Sequence, residues 1–314
     1  MQKKVLVCST IHLAGVEELR KCALVDEKTG LSLAELREVM PDYDAVVLRS
    51  GTNLTAEMLE AGKRGNLKII GLAQTGTDNV DMKAAERLGI EVVNSTANAI
   101  STAELTFCLI FSLARQIIAA QQALLDGQWN QRNTNLMGIQ LCGKTLGIIG
   151  LGNIGLMVAE RAKAFGMVIV AYNRPSDRVA KIAEEKGYIL CSLDELLEKS
   201  DIITLHLPLT DETKNLIDGK AIAKMKRTAL IINCARGGIV NEADLLKALE
   251  SDRIKGSALD VFEKEPLPKD SPLIEFAKRS NKLYLSPHLG SGTEEAQRQV
   301  AVEVAQKVWK FIMP

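Results

Sequence analysis

The sequence predicts an α/β protein made of two successive series of parallel β-strands covered by helices. Three observations predict it. Short β-branched apolar runs alternate with stretches of helical spacing along almost the whole chain, the pattern of parallel sheets with helical crossovers. The chain has 314 residues, which at about 150 residues per domain is roughly two domains. A glycine-rich turn beginning at Gly150 sits between an apolar strand and a helical stretch near the middle of the chain.

The elements follow in order. Lys4–Cys8 reads as a strand, and Leu31–Met40 as a helix from the spacing of Leu31, Leu33, Leu36 and Val39. Ala45–Leu48 is a strand, Ala56–Ala61 a short helix, Lys68–Leu72 a strand, Met82–Leu88 a helix and Ile90–Val93 a strand. Ser101–Leu125 is a long helical pattern with apolar residues on more than one face, which predicts burial on more than one side. The second series has strands at Lys144–Ile149, Val168–Tyr172, Ile202–His206, Leu230–Cys234, Gly256–Val261 and Lys282–Leu285. Its helices are Ile154–Phe165, Asp177–Lys186 and Glu242–Leu249. A last helix, Glu294–Phe311, is expected to pack back on the first domain.

Composition excludes several classes. Apolar residues are 46% and charged residues 25% of the chain, ordinary for a globular protein and unlike a disordered, collagenous or coiled-coil one. Lys plus Arg equals Asp plus Glu at 39 each, so the basic excess of a nucleic-acid binder is missing. Cys8, Cys22, Cys108, Cys142, Cys191 and Cys234 have no C-x-x-C spacing, and His12, His206 and His288 are dispersed. That pattern predicts reduced thiols and no metal site. The first ten residues, MQKKVLVCST, read as a strand rather than a signal peptide. Ser112, Arg115 and Gln116 interrupt the apolar run Leu109–Ala120, which is too short to span a bilayer. The expectation is a soluble, cytoplasmic protein without nucleic-acid or membrane partners.

Gly150, Gly152 and Gly155 form G-x-G-x-x-G after an apolar strand and at the start of a helix. The first glycine allows the tight turn, the second lets backbone approach a pyrophosphate, and the third permits close helix–strand packing. The free N–H groups of the helix start, at Asn153 and Ile154, then face the phosphates. This order of strand, turn and helix predicts dinucleotide binding in a Rossmann-like domain. An acid about 20 residues on would mark NAD; Asn173 stands there, followed by Arg174. A neutral residue beside a permanently charged guanidinium suits a 2′-phosphate, so the expectation leans to NADP(H) over NAD(H). Asn173 remains able to hydrogen-bond a 2′-hydroxyl.

Three polar segments follow strands: Asn233–Gly238, Asp260–Pro266 and Ser286–Gly290. Ligands bind at such carboxyl ends in open α/β sheets. Arg236, Glu265 and His288 together can reduce a 2-oxoacid. Arg holds the carboxylate and polarises the carbonyl, His⁺ gives the proton, and Glu orients the imidazole and favours its charged form. Singly, each has a duller account: a surface or capping arginine, a loop carboxylate, a satisfied core histidine.

With these residues on the page, the chain resembles the D-isomer-specific 2-hydroxyacid dehydrogenases over nearly its whole length, and the 3-phosphoglycerate dehydrogenases among them most. The matching stretches are LRSGTNLT at 48–55, TGTDNVD at 75–81, ELTFCLIFSLAR at 104–115, GKTLGIIGLGNIG at 143–155, NCARGGIV at 233–240, ALDVFEKEP at 258–266 and SPHLG at 286–290. The resemblance implies two Rossmann-like domains: a split, flavodoxin-like substrate domain, 1–98 with 289–314, and a doubly wound NAD(P)-binding domain, 99–288. It implies Arg236, Glu265 and His288 as the catalytic triad and substrate contacts from Ser50, Gly51, Ala73, Gln74 and Gly76. It further implies cofactor contacts from Thr75, Pro208, Cys234, Ala235, Asp260, which would hold the nicotinamide carboxamide, and Gly290. A homodimer through the cofactor domain and the long helix is implied as well.

Three departures from the family pattern bear on the substrate and cofactor. Where related chains read G-R-A-G-T-G, this one reads Gly71-Leu72-Ala73-Gln74-Thr75-Gly76. The family's arginine is Leu72, which leaves Arg49 and Arg132 as candidates for a substrate phosphate. Gln74 replaces a glycine where bare backbone meets the substrate carboxylate. Both changes favour a smaller or differently substituted 2-oxoacid, as in glyoxylate or hydroxypyruvate reductases. Asn173 in place of an acid is the third. The chain stops at Pro314, and a short form without the C-terminal regulatory domain is expected. Two other classes share this fold. A non-catalytic dinucleotide-sensing corepressor shares the fold but has no need of the full triad, and a formate dehydrogenase would carry Gln at Glu265.

Overall fold

The structure is a computed structural model that describes residues 2–133 and 136–313, without the side chains of residues 132 and 133. Arg132, a candidate for a substrate phosphate, therefore has its side chain outside the described residues. The chain divides into two compact units, Met1–Ser101 with Ser291–Pro314, and Thr102–Gly290.

In the first unit, strands β1 (Lys4–Val7), β2 (Leu24–Glu27), β3 (Ala45–Leu48), β4 (Ile69–Leu72) and β5 (Glu91–Asn94) form one parallel sheet in the order β2-β1-β3-β4-β5. This is the flavodoxin-like order. Successive side chains point to opposite faces. Leu6, Val46 and Ile70 join the core with Leu36, Leu59 and Ala84 of the helices on one side. Val5, Val47 and Ile69 pack with Leu19 and with Val304, Val308 and Ile312 of the last helix, Glu294–Ile312. That helix thus closes the second face of this sheet. Gly71 makes room for it, since a Cβ there would lie 2.8 Å from Val304 Cγ1 and 2.9 Å from Val308 Cγ2.

In the second unit, strands β6 (Thr145–Ile149), β7 (Val168–Tyr172), β8 (Ile189–Leu190), β9 (Ile202–Leu205), β10 (Leu230–Asn233), β11 (Gly256–Leu259) and β12 (Leu283–Leu285) form a parallel sheet ordered β12-β11-β10-β9-β6-β7-β8. The order reverses between β6 and β9, which makes a doubly wound sheet with its switch point there. Helix ends carry the expected local chemistry. Ser192 forms a capping box with Glu195, and Gly187 ends the helix Asp177–Lys186 in the left-handed region at φ 70°.

Several features differ from the sequence expectations, among them four further helices, Leu13–Arg20, Leu193–Lys199, Gly219–Lys224 and Pro272–Arg279. Strands β2 and β8 carry no alternating apolar pattern because they are exposed sheet edges, so the sequence does not show them. The long helix is not continuous: Gln116 sits in the left-handed region at φ 54°, and Ala99–Arg115 and Ile117–Leu125 meet at a 56° bend. Nor is its second half buried on several sides. Ala119 and Ala123 are its buried residues, while Ile117, Ile118, Leu124 and Leu125 are exposed. Among the described residues no single helix is long and apolar enough to cross a membrane; this bent pair meets the requirement only when taken together.

The fit of the last helix gives a stability test. Gly71→Ala should overpack the face held by the β-branched Val304 and Val308 and destabilise the protein by about 1–3 kcal/mol. Urea denaturation reads this directly, and an unchanged midpoint would refute the packing argument.

Candidate active site

Strands β10, β11 and β12 are neighbours, and their carboxyl ends carry the three polar segments singled out in the sequence. After β10, the fully buried Asn233 shapes the turn. Its Oδ1 accepts from Ala235 N at 3.0 Å and its Nδ2 donates to the Arg236 carbonyl at 2.9 Å. Gly237 brings this turn against the next one, because a Cβ there would fall 1.8 Å from the Phe262 carbonyl oxygen. After β11, Asp260 is wholly buried and accepts from Ser286 Oγ at 2.6 Å, Leu289 N at 2.8 Å and Gly290 N at 2.9 Å. These bonds fix the segment after β12, in which His288 takes a left-handed backbone at φ 53° and donates its N–H to the Asp260 carbonyl at 2.9 Å.

His288 Nδ1 then lies 2.6 Å from Glu265 Oε2, while Glu265 Oε1 accepts from Phe262 N at 3.0 Å. The hydrogen bond to Glu265 raises the His288 pKa above its ordinary value; burial opposes this, the Glu265 and Asp260 charges support it, and the Arg236 charge opposes it. Burial pushes the Glu265 carboxyl up, but hydrogen bonds from His288 and Phe262 and the His288 and Arg236 charges outweigh it, so the net shift is downward. Arg236 gives Nη1 to the Ala235 carbonyl at 2.7 Å. Its action on both partners places Arg236, Glu265 and His288 in one electrostatic cluster. With Nδ1 held by a carboxylate, the imidazole offers Nε2 as its outward proton donor.

The glycine turn after β6 has three distinct environments. Gly150, at φ 100°, leaves no room for a Cβ, which would lie 2.6 Å from the His206 carbonyl oxygen. Gly155 packs on the turn itself, its hypothetical Cβ 2.0 Å from the Gly150 oxygen. Gly152 faces open space and precedes the helix Asn153–Ala164, which has no side-chain cap. The first-turn N–H groups, Asn153 and Ile154 among them, have no intrahelical acceptor. An open cradle with outward N–H groups fits the pyrophosphate of a dinucleotide.

Other predicted cofactor residues already have partners within the second unit. Asn173 turns inward: Oδ1 accepts from Leu151 N at 3.0 Å and Nδ2 donates to the Arg174 carbonyl at 2.7 Å, so it braces the glycine turn. Arg174 does not stand free for a 2′-phosphate but is ion-paired with Glu212. The arginine on which the lean to NADP(H) rests is thus already engaged. Gly290 gives its N–H to Asp260 and its carbonyl to Thr102, so both of its polar backbone groups serve the loop. The Pro208 carbonyl accepts from Thr213 Oγ1 at 2.7 Å. Cys234 and Ala235 are buried, and burial pushes the Cys234 thiol up to about 12, which leaves it protonated.

The predicted substrate residues and Thr75 lie in the first unit, in the loops after β3 and β4. Ser50 and Gly51 are exposed, with Gly51 at φ 103°. Arg49 is partly buried, and burial shifts its pKa downward. Gln74 does not project as a free amide. Its Nε2 donates to the Gly76 carbonyl and to Asn79 Oδ1, both at 2.8 Å, and Asn79 Nδ2 reaches the Thr52 carbonyl at 2.9 Å. Gln74 therefore braces its own loop and holds Asn79, which ties that loop to the one after β3. Gln74 Oε1 is buried without a hydrogen-bond partner among the described residues, and Ala73 is buried. Thr75 Oγ1 is bonded to the Ser95 carbonyl and to Asn98. Leu72 is fully buried in the apolar core, away from any polar role.

Sequence reasoning passed over His206, Asn79 and Glu212. His206 has Nε2 on Thr204 Oγ1 at 3.0 Å and a buried Nδ1 without a partner among the described residues; burial pushes its pKa down to about 3, so it is neutral. Its position just past β9, at the switch point, was the available signal. Asn79 and Glu212 act through partners distant in sequence, which no local pattern reveals.

The Glu265–His288 pair makes a pH prediction. Its contribution to stability is present where His288 is charged and Glu265 ionised, and is lost as pH rises through the raised His288 pKa. In Glu265→Gln the His288 resonances should titrate at lower pH than in the parent, as read by side-chain ¹H–¹⁵N NMR; an unmoved midpoint contradicts the coupling.

Comparison with known proteins agrees with this arrangement. Residues 107–290 match the family described as D-isomer specific 2-hydroxyacid dehydrogenase, NAD binding domain. The chain is 46% identical over 306 residues to a D-3-phosphoglycerate dehydrogenase of Synechocystis, covering 97% of this chain and 53% of that protein. It is 43% identical over 277 residues to a hydroxypyruvate reductase of Thermotoga maritima, covering 88% of this chain and 87% of that one. The chain spans about half the length of the phosphoglycerate dehydrogenases it matches. A glyoxylate reductase structure from Paecilomyes thermophila superposes with a TM-score of 0.88 at 30% identity, covering 99% of this chain and 96% of that one. With the glycine turn, the Arg–Glu–His cluster and these likenesses together, the chain belongs to the D-isomer-specific 2-hydroxyacid dehydrogenase family.

Proposed function

We propose that the protein is a nicotinamide-dinucleotide-dependent oxidoreductase that interconverts a 2-oxoacid and its D-2-hydroxyacid. The observation that carries this is the 2.6 Å contact between His288 and Glu265 at the carboxyl end of the second sheet, beside Arg236. Gly150, Gly152, Gly155, Asn153 and Ile154 would hold the pyrophosphate of the dinucleotide, which when bound supplies or accepts the hydride at C2. His288 gives the proton to the carbonyl oxygen through Nε2 in reduction and takes it back in oxidation. Glu265 keeps the imidazole charged and oriented. Arg236 binds the carboxylate as a planar fork and draws charge from the carbonyl. Asp260 holds the His288 segment in place through the Leu289 and Gly290 N–H groups. Thr75, Pro208, Cys234, Ala235 and Gly290 act as lining and loop supports.

For the substrate we propose 3-phosphoglycerate and its 2-oxo product. The identity with the phosphoglycerate dehydrogenases supports it, as does Arg49, a partly buried guanidinium in the loop after β3 suited to binding an anion. Ser50, Gly51, Ala73, Gln74 and Gly76 shape the loops around Arg49. Leu72, buried where the family places a cation, favours the second reading, an unphosphorylated acid such as hydroxypyruvate or glyoxylate. We also propose a cytoplasmic homodimer that covers the exposed Ile117, Ile118, Leu124 and Leu125.

A steady-state panel of 3-phosphohydroxypyruvate, hydroxypyruvate, glyoxylate and pyruvate with NADH and NADPH tests the substrate. Preference for the phosphorylated acid supports the first reading, and preference for hydroxypyruvate or glyoxylate the second. Arg236→Ala should lower kcat/KM by roughly two to three orders of magnitude while dinucleotide affinity persists. Near-normal turnover in that variant refutes the role of Arg236.

A further inference from the structure

We propose that Glu212 is a specificity-determining residue for the dinucleotide, holding Arg174 across the glycine turn and so disfavouring a 2′-phosphate. The inference rests on the dinucleotide reading above. Strands β7 and β9 flank β6 in the sheet. Arg174 lies just past β7 and Glu212 in the loop past β9, so their ion pair spans the carboxyl end of β6, where Gly150 and Gly152 turn. A dinucleotide laid on that turn places its adenosine ribose on the β7 side. A hollow of about 270 Å³ opens there, lined by Asn173, Arg174, Ser176, Asp177 and Cys191 among others. Arg174 is the one cationic side chain among its lining residues, and Asp177 is an acid.

Glu212 is set in place by its turn. Thr213, nearly buried, donates Oγ1 to the Pro208 carbonyl at 2.7 Å and accepts from Thr210 N at 2.8 Å. The carboxylate is thereby presented to Arg174 from a stapled turn. Two effects then act in one direction. The pair occupies the guanidinium that a 2′-phosphate needs, and the Glu212 and Asp177 charges repel a group carrying close to two negative charges. A ribose with free hydroxyls meets neither obstacle, and the Asn173 amide beside it can hydrogen-bond without charge.

Both side chains are largely exposed, at 66% and 75%, so the effect is moderate. Glu212→Gln should tighten NADPH binding relative to NADH by about fivefold, the measure of an exposed ion pair, with NADH affinity little changed. Titrations of protein fluorescence with NADH and NADPH give both constants without turnover. In an Arg174→Ala background the same substitution should move the ratio clearly less, because only the direct repulsion by Glu212 then remains. An unchanged ratio in Glu212→Gln overturns the inference, as does a full effect persisting without Arg174. A parent protein that binds neither dinucleotide overturns the cofactor reading together with it; binding of both with an unmoved ratio overturns this inference alone.

Discussion

One buried carboxylate organises the second unit's polar end. Asp260 has no access to solvent, and burial of a charge is costly unless hydrogen bonds replace its hydration. Ser286 Oγ and the N–H groups of Leu289 and Gly290 supply those bonds, and together they dictate the path of the chain past β12. His288 can occupy an unfavourable left-handed backbone only because bonds on both sides of it over-determine that conformation. Its imidazole is consequently delivered to Glu265 at 2.6 Å, and that contact favours the charged form of the ring.

Close backbone approaches do for the loops what Asp260 does for His288. Gly237 lets the Arg236 turn sit against the Phe262 carbonyl, which is one residue group away from the N–H that anchors Glu265. Gly155 and Gly150 nest within one turn and set the start of the helix that follows. Sterics at these glycines and hydrogen bonds at Asn233 and Asp260 therefore convert three adjacent strand ends into one cluster of opposite charges. Arg236, Glu265 and His288 therefore stand together at neighbouring carboxyl ends of a single sheet.

Much of this was legible in the sequence. The central strands of both sheets are continuous apolar runs, because they are buried on both faces, and they stand within a residue or two of their expected bounds. The edge strands β2 and β8 were not legible, since an exposed strand needs no apolar pattern. The helical spacing of 101–125 is real on both sides of Gln116, but composition carries no mark of the backbone break there. The partners of Gln74 and Arg174 were not legible for a shared reason. Each residue was judged by its own chemistry and position, whereas its orientation depends on partners, Asn79 and Glu212, that local spacing does not reveal.

The sequence by itself determined the α/β class, the glycine turn and the residue types able to move a proton and bind a carboxylate, because periodicity and glycine's permitted backbone are local properties. The tertiary structure decided which polar groups are already spent. Asn173 braces a turn, Gly290 supports a loop, the Gln74 amide nitrogen holds Asn79 and Arg174 is held by an acid from the far side of β6. Hydrogen bonds and ion pairs are settled by ångström-scale proximity between segments remote in sequence, and such proximity exists only once the sheets have formed.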